Sequence, residues 1–218
     1  MAQNSNAPFD LAIFDLDGTL IDSKRDLIEA VHAAARKIGV PERTDEEIAG
    51  YLASGTMSLV KEALGTQERF EEAFAHFVRH YEANMFVHTR LYPDVLSTLD
   101  RLRGRTRLAI MSNKRESFCR KLAEGLGLTP YFEWIVGGDT YPVKKPDPTP
   151  LLEIAKLAGV DPARSVMIGD SPQDIQAGRE AGMKTVALLR GFTAPDRMRL
   201  TQADWILDSL LAPDTWMS

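Results

Sequence analysis

Six short apolar segments recur along the chain, and their pattern limits the fold more than any other feature. They are LAIFD (11–15), RLAIM (107–111), WIVGG (134–138), SVMIGD (165–170), KTVALL (184–189) and WILD (205–208). Each is continuously apolar rather than alternating, which is typical of strands buried on both faces of a parallel sheet. Stretches with helical periodicity separate them, and one of these places Val95, Leu96, Leu99 and Leu102 on one face. Strands that alternate with helices predict βαβ units, and therefore an α/β fold with a doubly wound parallel sheet.

Residues 22–88 interrupt this rhythm, because they contain four stretches with helical periodicity and no convincing strand. Thr44 and Glu47 have the spacing of a capping box at the start of one helix. The segment 70–81 carries a phenylalanine-rich apolar face, as expected of a helix packed on others. We therefore predict two domains, which are an α/β core formed by residues 1–21 and 89–218 and a small helical cap domain formed by residues 22–88.

The net charge, the length of the apolar runs and the cysteine count of the chain limit the partners and the location that we expect. The chain has 26 Lys and Arg against 31 Asp and Glu, a net charge of −5, so it lacks the basic footprint of a nucleic-acid-binding protein. No apolar run approaches the length of a membrane span, so we expect neither nucleic acid nor membrane as a partner. Because Cys119 is the only cysteine, no intrachain disulfide can form, and we expect a cytoplasmic location.

Polar residues gather where the predicted strands end. Asp15 and Asp17 follow the first strand, Ser112 and Asn113 the second, and Asp170 and Asp174 the fourth. Any one of these residues can be explained as a turn former or a helix cap. In an open parallel sheet, however, the carboxyl ends of the strands face one crevice, where ligands bind.

A cluster of carboxylates at that crevice needs a cation. Two carboxylates about 4 Å apart repel by roughly 4 kcal/mol at an effective dielectric constant near 20. Oxygen ligands suit Mg²⁺ better than zinc. A lysine of the segment VKKPDP (143–148), which follows the third strand, could add positive charge at the same place.

Four segments resemble the motifs of the haloacid dehalogenase superfamily of phosphatases in order and spacing. They are DLDGT (15–19), SN (112–113), KPDP (145–148) and GDSPQD (169–174). The insertion at 22–88 is similar to the small helical cap of that superfamily. The resemblance implies a Mg²⁺-dependent phosphomonoester hydrolase that acts on a small phosphorylated metabolite.

Two further segments, 51–65 and 136–152, resemble the phosphoglycolate phosphatase family within the superfamily. This resemblance implies 2-phosphoglycolate as the substrate. The chain departs from that family at Ala53, where a glycine usually begins a Gly-x-Gly sequence in the cap loop.

The resemblance assigns three catalytic residues. It implies that Asp15 is the nucleophile, which attacks phosphorus and becomes a phosphoaspartate. Asp17 would protonate the leaving oxygen and then accept a proton from the attacking water. Lys145 would stabilise the nucleophile and the charge of the phosphoryl group, whereas Lys144 would lie outside the site.

The resemblance also implies a set of binding residues. Ser112, Asn113 and Thr19 are assigned to the phosphate-binding part of the site, with Thr19 shaping the loop that holds Asp17. The carboxylates of Asp15 and Asp170 and the backbone carbonyl of Asp17 are the expected Mg²⁺ ligands. Asp174 is expected to support the water shell of the metal and Lys145.

Other functions remain open at this level. A haloacid dehalogenase would use Asp15 to attack carbon and would have no use for Asp17. A phosphomutase, which is an isomerase, would use its cap to hold a sugar phosphate and commonly has Val or Ile where Thr19 stands. A non-catalytic phosphate-binding module would normally have lost one of the four motifs, and all four are present.

Overall fold

The computed structural model describes residues 9–65, 68–211 and 216. Residues 1–8, which we assigned to the core, lie outside these ranges. The described strands are β1 (Leu11–Phe14), β2 (Ile21–Asp22), β3 (Arg90–Leu91), β4 (Arg107–Met111), β5 (Trp134–Val136), β6 (Ser165–Gly169), β7 (Lys184–Leu188) and β8 (Trp205–Leu207). The described α-helices are α1 (Lys24–Ile38), α2 (Asp45–Ala49), α3 (Thr56–Leu64), α4 (Phe70–Asn84), α5 (Val95–Leu102), α6 (Glu116–Gly125), α7 (Thr149–Ala158), α8 (Pro172–Glu180) and α9 (Pro195–Arg199).

Six of the strands form one parallel sheet in the order β5-β4-β1-β6-β7-β8. All six correspond to the apolar segments identified in the sequence. Strand β1, which directly precedes Asp15, lies between β4 and β6, at the point where the order of the strands reverses. Ligands bind at such a switch point in open α/β sheets, outside the carboxyl ends of the strands.

The sheet is covered on both faces. Because side chains alternate along a strand, Ala12 and Phe14 of β1 point to one face, where they join a core that includes Phe118 of α6. Leu11 and Ile13 point to the other face and pack with residues of α7 and α8, such as Ile154. The predicted doubly wound α/β fold is confirmed.

Helices α1 to α4 lie between β2 and β3 in the chain and share one apolar core. The buried stripe of α1 runs from Leu27 to Ile38, and the phenylalanine-rich face of α4 buries Phe77 and Tyr81. The predicted capping box is present at Thr44, as its side chain accepts from the backbone N–H of Glu47 while the Glu47 carboxylate accepts from the backbone N–H of Thr44. The division into core and cap at residues 22 and 88 stays a prediction.

Two local features differ from the sequence predictions. Strands β2 and β3, which are not among the six predicted strands, form a short antiparallel ladder that pairs Ile21 with Leu91 and Asp22 with Arg90. The prediction for Leu96 was wrong, because its side chain is 43% exposed whereas Val95, Leu99 and Leu102 are buried. No helix in the described ranges is both long and apolar enough to cross a membrane.

Candidate active site

Lys145 joins two of the predicted site carboxylates. Its Nζ lies 2.9 Å from Oδ1 of Asp15 and 2.6 Å from Oδ1 of Asp174. It also donates to the backbone carbonyl of Met111, at the end of β4, over 2.7 Å. Since Lys145 is only 2% exposed, this ammonium group is held by buried partners at the carboxyl ends of β1 and β4.

The residues at the start of α8 hold the carboxylate of Asp174 in place. Ser171 caps α8, Pro172 occupies its first turn, and the Asp174 carboxylate accepts from the Ser171 backbone N–H and hydroxyl over 3.0 and 2.7 Å. This reciprocal capping leaves Oδ1 of Asp174 facing Lys145.

Asp170 is held by neutral donors. The hydroxyl of Thr19 donates to its Oδ1 over 2.9 Å, and the backbone N–H of Phe192 donates to its Oδ2 over 2.8 Å. Among the residues that the structure describes, no cation pairs with Asp170. One carboxylate oxygen from each of Asp15, Asp170 and Asp174 lies within 4.8 Å of the others.

Asp15, Asp170 and Asp174 form an acidic triad whose negative charge is only partly offset by Lys145. Burial raises the pKa of Asp15 to about 7; the charge on Asp174 adds to this rise, while Lys145 opposes it. Burial and the charges of Asp15 and Asp174 raise the pKa of Asp170 well above its ordinary value. A single lysine therefore does not balance three buried carboxylates, and a set of hard oxygen donors fits a divalent cation.

An ion pair between partly buried Arg190 and buried Asp94 lies next to Thr19, one of the two donors to Asp170. The guanidinium of Arg190 donates from Nη1 to both oxygens of Asp94 over 2.6 and 2.7 Å, and from Nη2 to the carbonyl of Thr19 over 2.8 Å. Arg190 lies two residues before Phe192 in the chain. It therefore ties the backbone of Thr19 to the segment that carries Phe192.

Asp17 has a separate set of partners. Nζ of Lys114 lies 3.0 Å from Oδ1 and 2.9 Å from Oδ2 of Asp17. The hydroxyl of Ser23, just before α1, donates to Oδ1 of the same carboxylate. Asp15 and Asp17 therefore pair with different lysines, although they are only two positions apart.

The predicted phosphate-binding residues do not all lie together. Ser112 and Asn113 line the cavity beside Asp15. The side-chain amide of Asn113 donates to the carbonyl of Lys145 over 2.9 Å and to Oε1 of Gln173 over 2.8 Å, so it links three of the site loops. The hydroxyl of Thr19 is fully buried and faces Asp170, so this residue is better placed to orient Asp170 than to contact a phosphoryl group.

Residues of the cap line one side of the cavity above Asp15. Its volume is about 40 Å³, a few times what one water molecule needs. Gly55, which lies in the cap loop at a φ of 87°, approaches the core so closely that a Cβ there would lie 3.1 Å from the carbonyl oxygen of Asn113. On the cap side the cavity is lined by Leu27, Leu52, Ala53, Gly55, Thr56 and Leu59.

Sequence reasoning missed two residues of this site. Lys114 follows the SN motif directly, and a lysine beside a strand end was a usable signal. Gln173 lies inside GDSPQD and lines the cavity, but nothing in that motif distinguishes it from a surface residue of the first helical turn.

The fold and the site together define a class of enzyme. The family model of haloacid dehalogenase-like hydrolases matches residues 12–188, and the chain belongs to this family. The matched range begins in β1 and ends with β7, so it contains all four motifs and the helical insertion.

The chain is also similar to several named relatives and solved structures. It is 38% identical over 182 residues to a phosphoglycolate phosphatase of Aquifex aeolicus, which covers 83% of this chain and 84% of the relative. It is 40% identical over 188 residues to a phosphoglycolate phosphatase of Chromobacterium violaceum, with 82% and 84% covered. A crystal structure of a predicted phosphoglycolate phosphatase from Haemophilus somnus superposes with a TM-score of 0.91 at 27% identity, covering 96% of this chain and 98% of that one. The predicted enzyme class, a phosphatase, is confirmed.

Proposed function

We propose that this phosphatase hydrolyses a small phosphomonoester, 2-phosphoglycolate, through a phosphoaspartate on Asp15 and with Mg²⁺ as its cofactor. The observation that carries the proposal is the placement of Asp15 at the end of β1, with Oδ1 held 2.9 Å from Lys145 and the cavity directly beside it. The small volume of that cavity, about 40 Å³, supports a small substrate. The names of the relatives support 2-phosphoglycolate.

The carboxylates of Asp15 and Asp170 and the backbone carbonyl of Asp17 would hold the metal ion. When bound, Mg²⁺ would offset the negative charge that the nucleophile and the phosphoryl group bring together. The uncompensated charge of the acidic triad supports this assignment, since three buried carboxylates face one lysine.

In the first half-reaction, Asp15 forms a bond to phosphorus while the bond from phosphorus to the ester oxygen breaks. The leaving oxygen takes a proton from Asp17, which acts as general acid. Lys145 stays beside Asp15 and stabilises the charge of the transferring group. Covalent catalysis of this kind divides one difficult hydrolysis into two easier steps.

In the second half-reaction, a water molecule forms a bond to phosphorus and the bond to Asp15 breaks. Asp17, now deprotonated, takes the proton of that water. Ser112 and the backbone of Asn113, which line the cavity, would hold the phosphoryl oxygens. A haloacid dehalogenase would leave the partly buried carboxylate of Asp17, which is paired with Lys114, without a role, and this favours the phosphatase.

Ala53 lines the cavity without a backbone conformation that would require a glycine, because no described residue other than glycine has a positive φ. Gly55, by contrast, has a φ of 87°. The departure of Ala53 from the usual pattern is therefore compatible with the proposed substrate.

The experiment is a phosphatase assay on a panel of small phosphoesters that includes 2-phosphoglycolate. We expect 2-phosphoglycolate to give the highest kcat/KM, excess EDTA to abolish activity, and added Mg²⁺ to restore it. Full activity in the chelator would contradict the metal assignment, and a different preferred ester would contradict the substrate.

A further inference from the structure

Two buried lysines, Lys114 and Lys145, line the cavity, and the proposed mechanism gives a role only to Lys145. Lys114 is 3% exposed, and its ammonium lies within 3.0 Å of both oxygens of the Asp17 carboxylate. An ammonium group is normally kept out of protein interiors because desolvation is costly. Its burial against the proposed general acid therefore calls for a function or a strong structural reason.

The backbone of Lys114 is firmly anchored. Its N–H donates to the Ser112 hydroxyl over 3.3 Å. Its carbonyl accepts from the backbone N–H of Gly138 over 2.8 Å and from the thiol of Cys119 over 3.6 Å. Strand β4, the loop after β5 and helix α6 thus fix the point from which the side chain reaches Asp17.

The cap completes the environment of this lysine. Nζ lies 4.7 Å from the centre of the Tyr81 ring, within the range of a cation–π interaction. Tyr81 belongs to α4 and is fully buried, with its ring against Phe77 of the cap and Phe118 of the core. The Lys114 ammonium therefore lies between a core carboxylate and a cap aromatic ring.

We propose that Lys114 is a positioning residue that orients the Asp17 carboxyl group toward the leaving oxygen, in an arrangement that the cap completes through Tyr81. This inference rests on the proposed function, in which Asp17 gives a proton to the leaving oxygen and later takes one from water. Both transfers require the carboxyl group within about 2.6–3.2 Å of the reacting oxygen. Contacts to both carboxylate oxygens, together with the hydroxyl of Ser23, fix that orientation.

The leaving group of the substrate distinguishes a positioning role of Lys114 from a purely structural role of its ion pair with Asp17. An alkoxide leaves with difficulty unless it is protonated, so cleavage of an alkyl phosphate depends on a well-placed acid. A p-nitrophenolate leaves without a proton, so formation of the phosphoaspartate from p-nitrophenyl phosphate does not depend on it. A misplaced Asp17 should therefore lower kcat/KM more for the alkyl phosphate than for p-nitrophenyl phosphate. A general loss of structure should lower kcat/KM for both substrates by the same factor.

The experiment compares kcat/KM of Lys114→Met on p-nitrophenyl phosphate and on the alkyl phosphate that the wild-type enzyme cleaves fastest. We expect a loss of about 10²-fold on the alkyl ester, the size typical of a misplaced catalytic group, and a loss at least tenfold smaller on the aryl ester. A pre-steady-state burst of p-nitrophenol should remain while the steady-state rate falls, because Asp17 is also needed to hydrolyse the phosphoaspartate.

Lys121→Met is the matched control. Lys121 reaches from α6 to the cap helix α4, where its Nζ lies 2.8 Å from Glu82, but it is 53% exposed and does not line the cavity. We expect this variant to keep both activities. Lys114→Gln provides a second test of the site if the methionine variant does not fold, since its amide can still donate to Asp17.

Equal losses on both esters in a folded Lys114 variant would overturn the inference and leave the proposed function standing. A wild-type enzyme that cleaves neither ester would instead overturn the proposed function. Lys114→Arg, which keeps the charge, should recover part of the alkyl ester activity, and a further fall with this variant would also count against a positioning role.

Discussion

Gly191 provides a test of how Asp170 is held in place. Its φ is 95°, and a Cβ added there would lie 2.3 Å from Oδ2 of Asp170 and 2.6 Å from the carbonyl oxygen of Gly18. An ordinary contact begins near 3.4 Å, so in Gly191→Ala the Asp170 carboxylate or the Gly18 backbone must move by about 1 Å, which is 3.4 minus 2.3. The substitution therefore acts on a proposed metal ligand without changing any ionisable group.

Two costs add in this variant. An alanine at positive φ costs roughly 1–2 kcal/mol, and overpacking of a buried site costs roughly 1–3 kcal/mol. The free energy of unfolding should fall by roughly 2–5 kcal/mol, which for a chain of this length lowers the melting temperature by roughly 4–20 °C. A 1 Å displacement of a site group should lower kcat/KM by about 10²-fold and raise the Mg²⁺ concentration needed for half-maximal activity.

Gly182→Ala is the control for backbone strain alone. Gly182 has a φ of 74° and no atom within 4 Å of an added Cβ, so only the first cost applies, roughly 1–2 kcal/mol. Its Mg²⁺ requirement should match the wild type. The same melting temperature and the same Mg²⁺ requirement in both alanine variants would contradict the close contact between Gly191 and the Asp170 carboxylate.

Three further predictions concern charge. Lys145→Ala should lower kcat by orders of magnitude because it removes the buried cation at Asp15, whereas Lys144→Ala should change kcat little, because Lys144 does not line the cavity. Arg190→Met should lower the free energy of unfolding, measured in urea, by about 3–5 kcal/mol, because it leaves the buried carboxylate of Asp94 without its cation. The control Arg199→Met, which removes an exposed ion pair with Asp196, should lower it by only about 0–1 kcal/mol. Burial raises the pKa of Asp15 from 3.8 to about 7, so the metal-free protein should lose stability as the pH rises between those values. Mg²⁺ should therefore raise the melting temperature more at pH 8 than at pH 5, and an equal rise at both would contradict metal binding at Asp15.

The sheet could be predicted from the sequence because a strand buried on both faces leaves a continuous apolar run. Helical periodicity was a poorer guide at Leu96. An apolar residue beside Val95 in a helix need not share its face, and the Leu96 side chain reaches solvent. The β2–β3 ladder involves two residues on each strand. Such a short pairing is set by the path of the chain between core and cap, and it leaves no periodic signal.

The candidate site could be predicted only in part, for a related reason. The motif positions identify which residues stand at the strand ends, but they do not say which partner each side chain meets. Thr19 faces Asp170 because the turn after Asp17 directs its hydroxyl into the core. Lys114 meets Asp17 through contacts between residues 97 positions apart, and such distant pairs are decided by the packing of the whole fold.

The most direct test of the proposed function is to locate the phosphate on the enzyme during turnover. In Asp17→Asn, hydrolysis of the intermediate should be slowed by about 10²–10⁴-fold, while p-nitrophenyl phosphate can still phosphorylate the nucleophile. The mixture is quenched in acid, digested and mapped by mass spectrometry, with Asp15→Asn as the control. We predict a covalent phosphate on the peptide that contains Asp15 and none in the control. A phosphate on any other residue, or near-normal turnover by a folded Asp17→Asn variant with no covalent phosphate, would contradict the mechanism.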